Sequence, residues 1–347
     1  MALSFGRKKT TVGLDIGSGL IKVAVIDHSK KTPELTRVAI APLAQDAIVE
    51  GEVMDPGVVA EAIRSAMEKA GVTTKDVVIA VGGRDVIVKK IQIQERVKEP
   101  QVRELLRWEA EQHVPFDVES VELDHQTLNP NDTGPMDVLL VAAKRELIQA
   151  KQRVLEEAGL NAAIVDVESF ALHNGFEVNH PDAMSGIVGL LNIGHDVTNI
   201  NILENGVPIL SRDVAVGTRR LREDMMRERG LGADESDKLL QGFDRSAHLD
   251  AIIETRGEEI AVGLDRAMAF IQQTNRAAEL RQVYTCGGGA RIPGLNDRLG
   301  QRLRLQVQQA NALANLNVRD GALDSLVTDE VSPLLMLPIG LALRQVA

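Results

Sequence analysis

A single cysteine, Cys286, among 347 residues rules out an internal disulfide and any metal site built from several thiolates. That usage fits a reducing compartment, and the place of Cys286 beside three glycines reads as a buried structural thiol. Aromatic residues are almost as scarce: six Phe, one Tyr and one Trp leave no stacking platform for single-stranded nucleic acid. Basic residues are outnumbered, 39 Lys and Arg against 50 Asp and Glu, and a net charge of −11 leaves no basic stripe for a phosphate backbone. The one basic cluster, Arg7-Lys8-Lys9, reads as a solvated tail. No apolar run approaches the roughly 20 residues that span a bilayer, and the opening Met1-Ala-Leu-Ser-Phe-Gly carries no apolar signal segment. The expectation is a cytoplasmic protein with no transmembrane segment and no nucleic-acid partner. The seven histidines form no metal-spaced pair, and neither a Walker A sequence nor a Gly-x-Ser-x-Gly elbow occurs.

What the chain does have is a repeat. Gly13-Leu-Asp-Ile-Gly-Ser-Gly-Leu-Ile-Lys-Val-Ala-Val-Ile26 and Leu190-Leu-Asn-Ile-Gly-His-Asp-Val-Thr-Asn-Ile-Asn-Ile-Leu203 align without gaps, Leu14 on Leu191, Asp15 on Asn192, Ile16 on Ile193 and Gly17 on Gly194. Each reads as a strand, a Gly-centred turn and a second strand. Such a turn presents successive backbone N–H groups into a concavity, which holds phosphate oxygens without a full charge at every contact. Two of them predict a duplicated domain that clamps a polyphosphate from both sides. A dinucleotide-fold reading of Gly17-Ser18-Gly19 is the weaker one, because Lys22 stands where the third glycine belongs and Val23-Ala-Val-Ile26 is strand-like.

A third glycine-rich element, Val283-Tyr-Thr-Cys-Gly-Gly-Gly-Ala-Arg-Ile-Pro-Gly-Leu295, reads as a short strand followed by three glycines, with a helix opening at or near Pro293. A flat ligand can approach the main chain there because no Cβ intervenes. Elsewhere, Asp55-Pro56 predicts a capped helix with Val59, Ile63, Ala66, Met67 and Ala70 on its core face and a stop at Gly71, followed by a buried strand over 77–81. Residues 86–93 (strand), 100–113 (amphipathic helix), 136–143 (strand) and 146–158 (helix, stopped by Gly159) read as an insertion with its own small core. Residues 163–172 form a strand running into a helix, and 217–280 are mainly helical.

In order and spacing the three glycine motifs resemble the phosphate-1, phosphate-2 and adenosine motifs of the actin, Hsp70 and sugar-kinase superfamily, over nearly the whole chain. The resemblance implies an α/β fold of two duplicated RNase H-like, actin-like ATPase lobes with an interlobe cleft for ATP or ADP and Mg2+. It implies that Asp15 holds Mg2+ through water, that Lys22 faces the phosphates, and that Gly17, Ser18 and Gly19 form the first turn. Gly194, His195 and Thr198 belong to the second turn, and Gly287, Gly288, Gly289 and Arg291 to the adenosine box. Glu168 stands where related cytoskeletal members carry a glutamate that orients the attacking water; a carboxylate favoured by a helix N-terminus is the other reading. Glu235 and Lys238 resemble the Glu-x-x-Lys that holds the ribose and adenine edge, and an ordinary surface pair at i, i+3 looks the same. Asn192 replaces an aspartate common at that position, and a neutral amide supplies no charge to a metal-bound water, so weak or no ATPase activity is expected.

The insertion is placed as in FtsA, and several phrases resemble the PilM family of type IV pilus assembly proteins. They are Trp108-Glu-Ala-Glu-Gln-His-Val-Pro-Phe116, Val141-Ala-Ala-Lys-Arg145, Val165-Asp-Val-Glu-Ser-Phe-Ala-Leu172, the Gly287–Leu295 box and Pro338-Ile-Gly-Leu-Ala-Leu-Arg344. Gln309-Ala-Asn-Ala-Leu-Ala departs from that family's Asn-Pro-type loop. The resemblance implies a cytoplasmic scaffold of the pilus inner-membrane platform, held peripherally at the membrane by the N-terminal cytoplasmic tail of PilN. The groove is expected near Val86 to Gln94, along a strand edge. Other pilus machinery components and a second copy of the chain are further candidate partners. A small-molecule kinase and an FtsA-like filament former are the alternatives. The expected organisation is lobe one at 1–85, the insertion at 86–164, a return at 165–185, lobe two at 186–225, a helical subdomain at 226–280, a return at 281–335, and a terminal helix at 336–347 packed on lobe one.

Overall fold

The computed structural model describes residues 10–94, 96, 99–130, 134–241, 247–324 and 326–346; the basic cluster Arg7-Lys8-Lys9 lies outside them. Strands rich in β-branched residues, β1 (Thr10–Ile16), β2 (Leu20–Asp27) and β3 (Glu34–Pro42), form an antiparallel meander. A small flap of β4 (Ile48–Val49) and β5 (Glu52–Val53) leads into α1 (Pro56–Lys69). The cap is the predicted one: the Asp55 carboxylate accepts from the Val58 N–H at 3.1 Å, and Pro56 sits in the first turn, where its missing N–H is not needed. Next, β6 (Asp76–Val81) lies parallel to β1.

The insertion comprises β7 (Val86–Ile93), α2 (Glu99–His113), β8 (Val121–Thr127) and β9 (Met136–Lys144), with strand order β7-β9-β8. Ile91, Ile93, Leu106, Val138 and Leu140 belong to a core of its own. That core ends earlier than residue 164. The next helix, α3 (Arg145–Glu157), buries Val154 and Leu155 in the core of lobe one, and β10 (Asn161–Val167) lies parallel to β6. Both elements therefore belong to lobe one, because the apolar face of α3 is covered there and not by the insertion sheet. From β10 the chain runs without a loop into α4 (Glu168–Asn179).

Lobe two repeats the plan with β11 (Ile187–Ile193), β12 (Thr198–Glu204) and β13 (Val207–Val214), then α5 (Thr218–Arg229), α6 (Ala233–Leu240), α7 (Ala247–Thr274), β14 (Leu280–Cys286), α8 (Leu295–Leu303) and β15 (Val307–Gln309). Its sheet order is β13-β12-β11-β14-β15, and that of lobe one contains β3-β2-β1-β6-β10, the same succession of third, second, first, fourth and fifth strand. The duplication read from one hairpin thus extends through both sheets. The segment expected to stay in lobe two after residue 281 crosses over: β16 (Asn317–Val318) pairs with β3. After a short α9 (Thr328–Val331), α10 (Met336–Ala342) packs on α4 and β1.

Two of the few aromatic rings join the lobes. Phe176 of α4 meets Tyr284 of β14 edge-on at 4.8 Å, and His180 stacks on Phe176 at 4.9 Å. Around them one continuous apolar cluster takes Ala24 and Leu172 from lobe one, Leu190 from lobe two and Leu341 from α10. Among the described residues no helix is long and apolar enough to cross a membrane.

Candidate functional site: an interlobe cleft

The two repeated turns face each other across a cleft of about 590 Å3. Each turn is closed by the same hydrogen bond, Gly17 N–H to Leu20 C=O at 3.2 Å and Gly194 N–H to Val197 C=O at 2.9 Å. They approach closely: a Cβ on Gly19 would stand 3.0 Å from the His195 ring, a contact tight enough that the ring would have to give way. The lobes also latch above the turns. Asp196 accepts from the backbone N–H of Glu50 in the flap at 2.9 Å, and Arg219 at the start of α5 pairs with Asp46 of lobe one at 2.5 Å.

Because β1 and β2 are antiparallel neighbours, Asp15 and Lys22 stand directly opposite and on one face, and their side chains form an ion pair at 2.5 Å. Both are nearly buried, so each holds the other in place beside the turn. Glu168, first residue of α4, projects into the same space, where a Cβ on Gly82 would meet its carboxylate at 2.3 Å. Lys151 of α3 donates to the Ala80 carbonyl at 2.7 Å and lies 3.7 Å from the Glu168 carboxylate. Burial raises the pKa of Glu168 above the ordinary glutamate value; Lys151 opposes that rise, while Asp213 and Asp15 add to it. Asp15 and Asp213, drawn from the two lobes, are thus within electrostatic reach of Glu168, among the several carboxylates that line the cleft.

The far end is more apolar. Gly288 leaves open space where a Cβ would stand, with Leu334 nearest at 3.9 Å, and Pro333, Leu334 and Leu337 line this end with Arg291. The Arg291 guanidinium donates to the Glu330 carbonyl at 3.2 Å, and its burial lowers its pKa. Gly287, at φ +82°, brings the chain against Asn192 and Ile193 so tightly that a Cβ would lie 2.5 Å from the Asn192 amide oxygen. Cys286 is fully buried and its thiol pKa is pushed up by that burial, as expected of a structural thiol.

Of the residues singled out in the sequence, Asp15, Gly17, Ser18, Gly19, Lys22, Glu168, Gly194, His195, Gly287, Gly288 and Arg291 line the cleft. Four do not. Thr198 is fully buried and spends its hydroxyl on the Val216 carbonyl at 2.6 Å. Gly289 is buried, with no room for a Cβ beside Ile193. Glu235 and Lys238 are exposed on the other side of α6, which turns Asp237 and Gln241 to the cleft instead. Sequence reading missed Lys151, Asn199, Asp213, Arg219 and Arg222, all of which line the cleft. The signal for four of them, Asn199, Asp213, Arg219 and Arg222, was the repeat itself, since Asn199 aligns with Lys22 and the third strand and following helix were the next places to look.

These donors suit a hard cation that keeps its waters. Oxygen ligands face one another from two lobes, and the buried Asn199 amide oxygen has no hydrogen-bond partner. Among the described residues no three of His, Cys, Asp and Glu are grouped closely enough to hold a metal ion directly.

The family model described as "Type IV pilus assembly protein PilM" matches residues 13–346. A solved structure, the "PilM-PilN type IV pilus biogenesis complex", superposes with a TM-score of 0.85 at 25% identity, covering 98% of this chain and 99% of that one. MreB 5 of Spiroplasma citri bound to AMPPNP has the same fold, with a TM-score of 0.54 at 12% identity and coverage of 96% and 95%. Cell division protein FtsA of Bacillus subtilis is 21% identical over 286 residues, which span 76% of this chain and 64% of that protein, less than two thirds of its length. The fold is therefore that of the actin-like ATPases.

Proposed function

The chain belongs to the PilM family of type IV pilus assembly proteins, and from that premise we propose a nucleotide-binding scaffold that holds the N-terminal tail of a PilN partner at the inner membrane. The observation that carries the nucleotide part is the pair of turns, each closed by the same hydrogen bond, that line one cleft, with Lys22 beside the first and a glycine shelf at the far end. Polyphosphate oxygens would take the turn N–H groups and the Lys22 ammonium, Asp15 would face the waters of Mg2+, and a flat base would lie over Gly288. Mg2+ supplies charge neutralisation to the phosphates; Glu168 is placed to orient water. The partner reading is supported by the likeness to the complex whose printed name includes PilN, and by β7 being the end strand of the insertion sheet.

Two outcomes are expected. A synthetic peptide of the PilN tail, titrated against the purified chain with no nucleotide, with ADP and with a slowly hydrolysed ATP analogue, binds in all three states. Its affinity shifts by about 5-fold, because the Asp196–Glu50 and Arg219–Asp46 latches tie cleft closure to lobe one, and the peptide shifts nucleotide affinity by the same factor. No peptide binding in any state rejects the partner site, whereas equal affinities reject only the coupling. Steady-state phosphate release is slow or undetectable, since Asn192 places no charge at the second turn, and Asn192→Asp raises it. Rapid release from the unaltered chain would refute that account.

A further inference from the structure

Lobe one carries its acid on the first strand of its sheet, and lobe two carries one on the third. In lobe one, Asp15 of β1 pairs with Lys22 of β2, which in turn pairs with the apolar Ile40 of β3. The same three positions in lobe two are Asn192 of β11, Asn199 of β12 and Asp213 of β13. Cross-strand partners point to one face, so Asp213 shares a face with Asn192 and stands two strands away from it. Resting on the nucleotide reading above, we propose that Asp213 is the positioning residue by which lobe two holds the water shell of nucleotide-bound Mg2+, in place of the carboxylate that Asn192 lacks.

Asn199 fixes the Asp213 carboxylate, donating to its Oδ1 at 2.8 Å and to the Ser211 hydroxyl at 3.2 Å. The other oxygen, Oδ2, faces lobe one and lies 3.7 Å from where a Cβ would stand on Gly83. Asp213 is solvent-accessible within the cleft, and among the described residues no cation pairs with it. A second, independent observation points to a ligand. Asn199 is only 5% exposed, it lines the cleft, and its amide oxygen has no donor. A buried acceptor without a partner is costly, and a metal-bound water is a donor of the right kind. Glu168 lies within electrostatic reach of both Asp213 and Asp15, so the cleft brings three carboxyl groups from both lobes near one another where a polyphosphate would add negative charge. Lys22 lies against Asp15 and Lys151 near Glu168, which leaves Asp213 as the member of the three without a paired cation among the described residues. Asp213 and Asp15 would face the waters of a hydrated Mg2+, which keeps several waters, takes few carboxylates and would offset that charge.

The test is calorimetric titration of ATP into the full chain with Mg2+ and again with EDTA, for the unaltered protein, Asp213→Asn, and Asp213→Asn combined with Asn192→Asp. With Mg2+ present, Asp213→Asn loses about 10-fold in affinity, the low end for groups that support a metal shell. In EDTA the same variant binds ATP as well as the unaltered chain or more tightly, because a negative charge facing the phosphates is gone. The double variant regains the Mg2+ dependence. Equal losses with and without Mg2+ would mark Asp213 as merely structural and overturn the proposal, as would a Mg2+ dependence left unchanged. Absence of ATP binding by the unaltered chain in both conditions would overturn the nucleotide reading and this proposal with it.

Discussion

Lys22→Ala lowers ATP and ADP affinity by about 10- to 100-fold, equivalent to a charge-assisted contact of about 1.5–3 kcal/mol. The ammonium sits at the mouth of the first turn with its charge shared between Asp15 and the open cleft, and a Cβ on Gly17 would lie 3.3 Å from it. Removing it subtracts the attraction and also leaves the nearly buried Asp15 carboxylate unpaired and facing the phosphates. Lys22→Arg keeps the charge but not the compact head that fits beside Gly17, so it recovers only part of the affinity. Calorimetric titration of the folded variants decides the matter; equal dissociation constants for Lys22→Ala and the unaltered chain would remove Lys22 from the site.

Gly340→Ala destabilises the fold by about 3 kcal/mol, at the upper end for over-packing a core. Helix α10 crosses α4 so closely that a Cβ on Gly340 would stand 1.7 Å from the Ala171 carbonyl oxygen, and a Cβ on Gly175 of α4 would stand 2.5 Å from the Met336 carbonyl. The obstruction is backbone on both sides, so no side chain can rotate away and the helices must separate. On its other flank α10 meets Gly13 of β1, where a Cβ would lie 2.1 Å from the Pro338 carbonyl. Asp15 is two residues further along the same strand, so displacement of α10 also weakens nucleotide binding. Gly57→Ala is the contrast: its nearest neighbours would be side-chain oxygens at 3.4 and 3.5 Å, and helix propensity makes the change neutral or stabilising. Urea denaturation that gives Gly340→Ala and Gly57→Ala the same midpoint would refute this account of the helix crossing.

Much of the architecture was legible because it depends on local pattern. The Asp55-Pro56 cap, the Gly71 and Gly159 stops, the strand-to-helix passage at Glu168 and the twin hairpins are each specified by residues within one or two turns of chain. The boundary at 164 failed because a helix does not declare in its own sequence which sheet will cover it; Val154 and Leu155 suit either, and packing gave them to lobe one. The choice between the two readings of Glu235 and Lys238 rested on packing for a related reason. Glu235-x-x-Lys238 matches a nucleotide-edge motif in sequence, yet Leu239 and Leu240 bury the opposite face and leave both charges outside.

By itself the sequence determined the duplication, the two glycine-centred turns, the run of three glycines and the family, because each is a contiguous phrase carried by backbone geometry and neighbouring residues. Only the tertiary structure decided which side chains converge on the cleft. Lys151 comes from a helix that precedes β10, Asp213 from the third strand of the second repeat and Arg219 from the helix after it. Their meeting with Asp15, Lys22 and Glu168 depends on the two lobes joining through the apolar cluster around the Phe176–Tyr284 contact. Contacts between residues so distant along the chain are set by how the apolar surfaces of separate elements are buried together, and no local stretch contains that information.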